Sequence, residues 1–461
     1  MEAVREERST GCGGTGAETE SGSGGPFRRP FYQKSRRGER NKYVTNSIVV
    51  QGQTRRGTSL PMHCACGGVC HTAACAASTL KRPAGCDELR VRVECPGMQS
   101  KTFPECRRGM GFGGWLTNYK RFNVLPQAWR TRLTIGDFEH FRSYLSEADA
   151  ENVAAMGFDH VRVGFDQIVL EERPGVYREE ILDLLDRFCG WFESRGLGVV
   201  LNLHKAVGNY CDIHEENALL DDPALQDRFV ALWEAVDRRF AHRPAVAFEL
   251  LNEVLDVPPE KWLALARRTV AALRRLDPGR WIVVGPTCWN NPWALRALDP
   301  FDDARVAYTF HMYEPSAFTH QRGVLQPAHC FYNRDMPYPG DPERYRDHAR
   351  ETGRDPRRFD GFAEIGRDFL ADVLRDAFDW KAAHPGRILW CGEFGTIRHA
   401  RPAWREAWMR DVTSLLREHG VPWCVWNYLS TPNDGNRFSL VDDDTRRILS
   451  PALLRACLGE G

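Results

Sequence analysis

Six short apolar runs end in residues able to give a proton, accept one or hold a charge. The run HVRVGF carries Arg162 and LNLH ends in His204. FELLNE ends in Asn252 and Glu253, and YTFHMY carries His311 and Tyr313. LWCGEFG carries Glu393 and CVWNY carries Trp426. Two carboxylic acids suffice for chemistry in which one group donates a proton and the other attacks or stabilises a cation. Each residue alone has a plainer explanation. A Glu just past an apolar strand is usually a solvated rim residue. Arg162 suits a structural ion pair, His204 a hydrogen-bonded core histidine and Trp426 ordinary packing. Their joint placement at successive run ends is what points to a site.

Those run ends need elements to bring them together. Eight candidate strands are legible: Met110 to Gly114, His160 to Gly164, Gly198 to His204, Ala245 to Leu251, Trp281 to Gly285, Val306 to His311, Arg387 to Glu393 and Val421 to Asn427. Short Val/Ile/Leu-rich runs are what strands buried on both faces look like. Amphipathic stretches alternate with them: Glu147 to Met156, Ile181 to Glu193, Leu225 to Phe240 and Lys261 to Leu276, with Gly157 and Gly196 as stops after the first two. Eight alternating units predict an α/β chain closed into a (β/α)₈ barrel. An open doubly wound sheet is the alternative, but no phosphate loop supports it. In a barrel the strand C-terminal ends share one mouth. Carboxylates from strands four and seven then face each other across it, which suits two-carboxylate glycosidic chemistry.

One interval is too long. Between His311 and Arg387 about 75 residues stand where a loop and one helix would do. An inserted subdomain over about 314–380 is expected there, with a helix from Phe362 to Ala382. Its aromatics Phe318, Phe331, Tyr332 and Tyr338 either wall a cleft or form the insert's own core.

The rest of the chain is of another kind. All 14 Trp lie at or after Trp115, whereas ten of the 40 Gly fall in the first 60 residues. Residues 1–97 bury too little apolar surface to offset ordering entropy and are expected to be a disordered Cys/Gly-rich extension, with 98–461 as the working domain. The run Cys64, Cys66, Cys70, His71, Cys75 invites a zinc reading, but its spacing fits no paired CxxC site. Seven cysteines after residue 107, several within apolar strands, read as buried free thiols. Lys+Arg and Asp+Glu both number 62, and this balance argues against a nucleic-acid binder. No apolar run is long enough to cross a membrane. The start MEAVREERST lacks the apolar core of a signal peptide, which with the free thiols slightly favours a cytoplasmic location.

The strings GFDHVR, LNLH, AFELLNE, FHMYEPSAFTHQ, CGEFG and VWNY, in that order, resemble glycoside hydrolase family 5, the cellulase family of clan A. The branch they resemble most is the clostridial endoglucanase C type, which also carries an insert after strand six. The resemblance runs from about Arg108 to the last helix. It implies Glu253 as general acid/base and Glu393 as nucleophile, held ionised by Arg162 and Tyr313. It further implies Asn252 on the sugar 2-hydroxyl, His204 and His311 hydrogen-bonding sugar and carboxylates, and Trp426 as the platform under the reacting ring. Carboxyls about 5–5.5 Å apart would mean net retention. The implied reaction is endo-cleavage of β-1,4 or mixed β-1,3/1,4 glucans by a monomer without metal or organic cofactor. A β-mannanase, an exo-β-1,3-glucosidase and a non-catalytic glucan-binding barrel are the rivals. Two positions depart from the family pattern: Gly164 where Pro is frequent, and Lys205 where many members have a second His. Asn118, Trp289, Asn290 and Phe318 are candidate subsite residues.

Overall fold

The computed structural model describes residues 101–119, 132–210, 218–324, 327–431 and 434–460. The expectations for residues 1–97, including the cysteine cluster, and for Cys211 lie outside these. Eight parallel strands close a barrel: β1 Arg108–Leu116, β2 His160–Asp166, β3 Gly198–Lys205, β4 Ala247–Glu249, β5 Ile282–Val284, β6 Val306–Met312, β7 Leu389–Phe394 and β8 Trp423–Val425. β1 pairs with β2 on one side and with β8 on the other, so the open-sheet alternative is excluded. All eight predicted strands are present. β4 and β8 are shorter than predicted because their ends leave the ladder to enter the mouth. Asn252 N–H donates instead to Leu203 O at 2.9 Å, and Trp426 N–H to Phe394 O at 2.8 Å.

The barrel interior is packed, not hollow. Val200, Ala247, Val283, Ala307, Trp390 and Cys424 fill it, and Phe103 closes the lower end. Phe103 and Trp390 meet edge to face with centroids 5.4 Å apart. Small residues at facing positions make room for the one large indole, which is how dense interiors are filled. The helices Glu147–Ala155, Glu179–Glu193, Pro223–Arg239, Pro259–Leu276 and Pro402–Glu418 pack outside the strands. Gly157 and Gly196 follow the first two with φ of 93° and 73°, the left-handed stop that glycine takes without strain.

Much of the tryptophan content is structural. Trp233, Trp262 and Trp408 are buried and donate their indole N–H to the carbonyls of Leu250, Gly285 and Glu314. These carbonyls lie just past strands, where the ladder has ended and a buried acceptor needs a donor.

The long interval after β6 holds short helices at Ser316–Thr319, Pro327–Tyr332 and Pro342–Glu351 and a 3₁₀ turn at Pro356–Phe359. The helix that follows is Arg367–Ala383, starting later than the sequence pattern suggests. Ile365 is tied to Gly340 in a two-way backbone bridge, which holds the chain extended there. This helix packs on Pro292–Ala297 and on Pro402–Glu418 as a member of the outer ring. The extra material is therefore 314–366. Phe318, Tyr332 and Tyr338 are buried in the apolar core, and Phe331 is 79% exposed. The first three are packing residues.

Trp390→Ala should cost about 3–5 kcal/mol of folding stability through the cavity it leaves. Urea unfolding followed by far-UV circular dichroism would measure it; a loss under 1 kcal/mol would mean that the barrel interior can collapse around the gap.

Candidate active site

The strand ends meet at the mouth through Arg162 on β2. It is fully buried. Its Nε and Nη2 reach Glu249 at 2.6 and 2.9 Å, its Nη2 also reaches Asn252 Oδ1 at 2.7 Å, and its Nη1 donates to Glu393 Oε1. Burial alone would lower its pKa. Glu249 and Glu393 more than offset this, so it stays charged. Glu249 is the residue that sequence reading missed. A Glu inside an otherwise apolar strand, four positions before Glu253, must find a buried cation, and Arg162 was the available one.

Glu393 lies one residue before the end of β7, beside His311 of β6. The two are direct cross-strand partners, placed so by a register shift after Phe310. Tyr313 Oη donates to Glu393 Oε2 at 3.1 Å. Burial lifts the Glu393 carboxyl above the ordinary range. His311 and Arg162 pull it back down, and Glu253 adds to the rise. Tyr313 is held well above an ordinary phenol by burial and then by Glu393, so it is a permanent donor.

Glu253 follows β4 in the left-handed region, with φ of 42°. A non-glycine residue there carries backbone strain, a frequent feature of functional sites. His311 Nδ1 lies 2.9 Å from Glu253 Oε1 and 3.6 Å from Glu393 Oε2. One ligand atom each from Glu253, His311 and Glu393 fall within 4.8 Å of one another. Among the described residues this trio, together with Cys106, Asp159 and His160 at the other end of the barrel, has the spacing to hold a metal ion. In the second trio Asp159 already accepts from the backbone N–H of Arg107 and Arg108 and from His160.

Trp426 lies across the mouth beside His204, rings stacked at 5.6 Å and 11°. A Cβ at Gly113 would come within 2.5 Å of the indole, so only glycine lets β1 pass beneath it. His204 Nδ1 lies 2.9 Å from Asn202 Oδ1 and its Nε2 3.2 Å from Asn118 Nδ2. Burial, then Arg162 and Lys205, hold His204 well below the ordinary histidine value, and burial brings His311 down to about 4. Both imidazoles are neutral at pH 7.

All eight predicted residues thus surround one mouth. The candidate subsite residues divide. Asn118 and Trp289 are partly exposed at the rim, while Asn290 and Phe318 are buried. Lys205 is also buried, its Nζ donating to Asn118 Oδ1 at 2.8 Å, so it helps to hold the rim.

A family model described as cellulase, glycosyl hydrolase family 5, matches residues 127–431. The chain belongs to glycosyl hydrolase family 5. It is similar to endoglucanase C of Acetivibrio thermocellus, with 33% identity over 70% of this chain and 91% of that protein. It is also similar to cellodextrinase A of Ruminococcus flavefaciens, with 27% identity over 68% of this chain and 83% of that one. The structure of Thermotoga maritima Cel5A in complex with cellobiose superposes with a TM-score of 0.58 at 22% identity, covering 76% of this chain and 97% of that one. As a family 5 enzyme the chain is a glycoside hydrolase on an α/β barrel.

Arg162→Met would leave Glu249 and Glu393 buried without their cation. The expected loss is about 3–5 kcal/mol of stability, read by thermal and urea unfolding. Glu249→Gln in the same background should recover part of it; no recovery would contradict the pairing as the source of the loss.

Proposed function

We propose that this glycoside hydrolase is a retaining, endo-acting β-glucanase cleaving β-1,4 or mixed β-1,3/1,4 glucosidic bonds. The observation that carries the reading is the approach of Glu253 and Glu393, with oxygens within 4.8 Å across the mouth. That spacing suits direct attack on the anomeric carbon; the wider spacing of inverting enzymes leaves room for a water. The similarity to endoglucanase C over most of its length favours a glucan as substrate.

Glu393 is the nucleophile. Arg162 and Tyr313 hold its oxygens, so the carboxylate is aimed and its charge balanced until it forms the glycosyl ester. Glu253 donates a proton to the departing oxygen and later takes one from the attacking water. Its smaller degree of burial, with 22% of the side chain exposed, suits the group that must meet both leaving group and water. Asn252, gripped by Arg162, presents its amide to the 2-hydroxyl, a contact that strengthens in the oxocarbenium-like transition state. Trp426 offers an apolar face to the sugar ring. The proposed catalytic unit is 98–461, and removal of residues 1–97 should leave activity and melting temperature unchanged.

Glu393→Gln should abolish turnover even of activated aryl glycosides. Glu253→Ala should harm poor leaving groups most and recover with azide, giving a β-glycosyl azide. A retained β-glycosyl azide from the Glu393 variant, with the inverted α-azide coming from the Glu253 variant, would exchange the two roles. Barley mixed-linkage glucan, carboxymethylcellulose, laminarin and mannan separate the substrates. Early short oligomers from the first two support the proposal; glucose alone from laminarin, or cleavage of mannan only, replaces it by a sibling specificity.

The acid limb of kcat/KM follows the ionisation of Glu393. Because its pKa is raised, activity should fall as pH drops through a value above the ordinary carboxylate range. Tyr313→Phe removes a hydrogen bond to the charged form and should move this limb up by about one pH unit.

A further inference from the structure

Asn290 offers the observation that the mechanism leaves unused. It is fully buried, yet it sits at the end of a run of three left-handed residues, Cys288, Trp289 and Asn290, with φ of 60°, 56° and 54°. Three consecutive non-glycine residues in that region are strained, and surrounding bonds must hold them. The loop after Glu253 supplies two. Cys288 N–H donates to Leu255 O at 3.1 Å and Trp289 N–H to Val254 O at 2.8 Å.

The turn delivers Asn290 to His311 twice over. His311 N–H donates to Asn290 O at 2.8 Å, and Asn290 Nδ2 lies 3.2 Å from His311 Nε2. Gly285 makes this possible, since a Cβ there would stand 2.6–2.8 Å from the three terminal atoms of the Asn290 side chain. On the far side of the ring, His311 Nδ1 faces Glu253 and Glu393.

A neutral imidazole carries one N–H and one lone pair. If the lone pair faced the two carboxylates it would repel both. With the proton on Nδ1, Nε2 is the acceptor, and only the amide NH₂ of Asn290 can meet it. Asn290 Oδ1 then has no hydrogen-bond partner. An unpaired buried carbonyl costs free energy, so the orientation of this amide is set by the imidazole it serves.

We propose that Asn290 is a positioning residue that fixes His311 in the Nδ1–H tautomer, making it a standing hydrogen-bond donor to Glu253. Asn290 touches no substrate. It acts through His311, orienting the Glu253 carboxyl and favouring its ionised form in the half-reaction that needs a base. The catalytic consequence rests on the roles proposed for Glu253 and Glu393; the tautomer does not.

The test is ¹⁵N–¹H correlation NMR of the imidazoles in the full-length chain, with His311 assigned by its loss in His311→Gln. The expected parent signal is a neutral ring protonated on Nδ1 between pH 5.5 and 8. A parent ring protonated on Nε2 overturns the proposal, whatever the variants do. Asn290→Asp keeps the shape but offers only an acceptor, so Nε2 should gain a proton. Asn290→Leu keeps the bulk without the donor. It should lower kcat on mixed-linkage glucan by at least about tenfold, with KM unchanged and an altered pH profile. If both variants retain the parent tautomer and pH profile, Asn290 is only packing and the proposal fails. Full-length chain that cleaves no glucan but shows the Nδ1–H ring overturns the functional reading and supports this one.

Discussion

A single buried guanidinium organises the mouth of this barrel. Arg162 holds Glu249 with two bonds, Asn252 with one and Glu393 with another. Both carboxylates are buried, and each would be costly there without a cation. The guanidinium pairs with both of them at once in a dry site. Its planar fork also sets where each oxygen points, which a lysine ammonium would not do. β2, β4 and β7 are joined at their C-terminal ends by these bonds, so the geometry of the site and the closure of the barrel are one problem.

The second constraint is the layer behind the carboxylates. Glu393 leans on Tyr313, whose ring packs against His320 and Phe438. His320 begins a stack that continues through His329 and His348, buried rings with centroids 6.0 and 5.6 Å apart. Burial brings the three down to about 4, 2 and 4, so at neutral pH they pack as uncharged aromatic plates. The extra material after β6 thus supports the site from behind. Its buried aromatics, Phe318, Tyr332 and Tyr338, belong to that packing.

Single strands are legible in this chain because each is a short-range pattern. Runs such as Gly198 to His204 are continuous in apolar residues, and each ends where polarity begins. The polar ends had to converge once the strands were parallel and closed. Glu249 escaped notice because its partner is 87 residues away, and Arg162 was matched only to Glu393, 231 residues on. Asn290 follows a candidate strand and Phe318 lies in the insert, which makes both candidates for a subsite. Whether such residues face the cleft or the core depends on the path of a loop. Here three left-handed residues turn Asn290 inward, a conformation that nothing in the composition of CWN announces.

Local pattern along the chain sets the class of fold, the order of the strands and which eight residues stand at or near their ends. The periodicities of strand and helix are local, and barrel closure leaves one place for strand ends to go. Tertiary structure alone decided which charges neutralise one another, which rim residues are buried and how far the insert extends. Each of these depends on contacts between segments far apart in the chain, where several partners are chemically possible and packing admits only one.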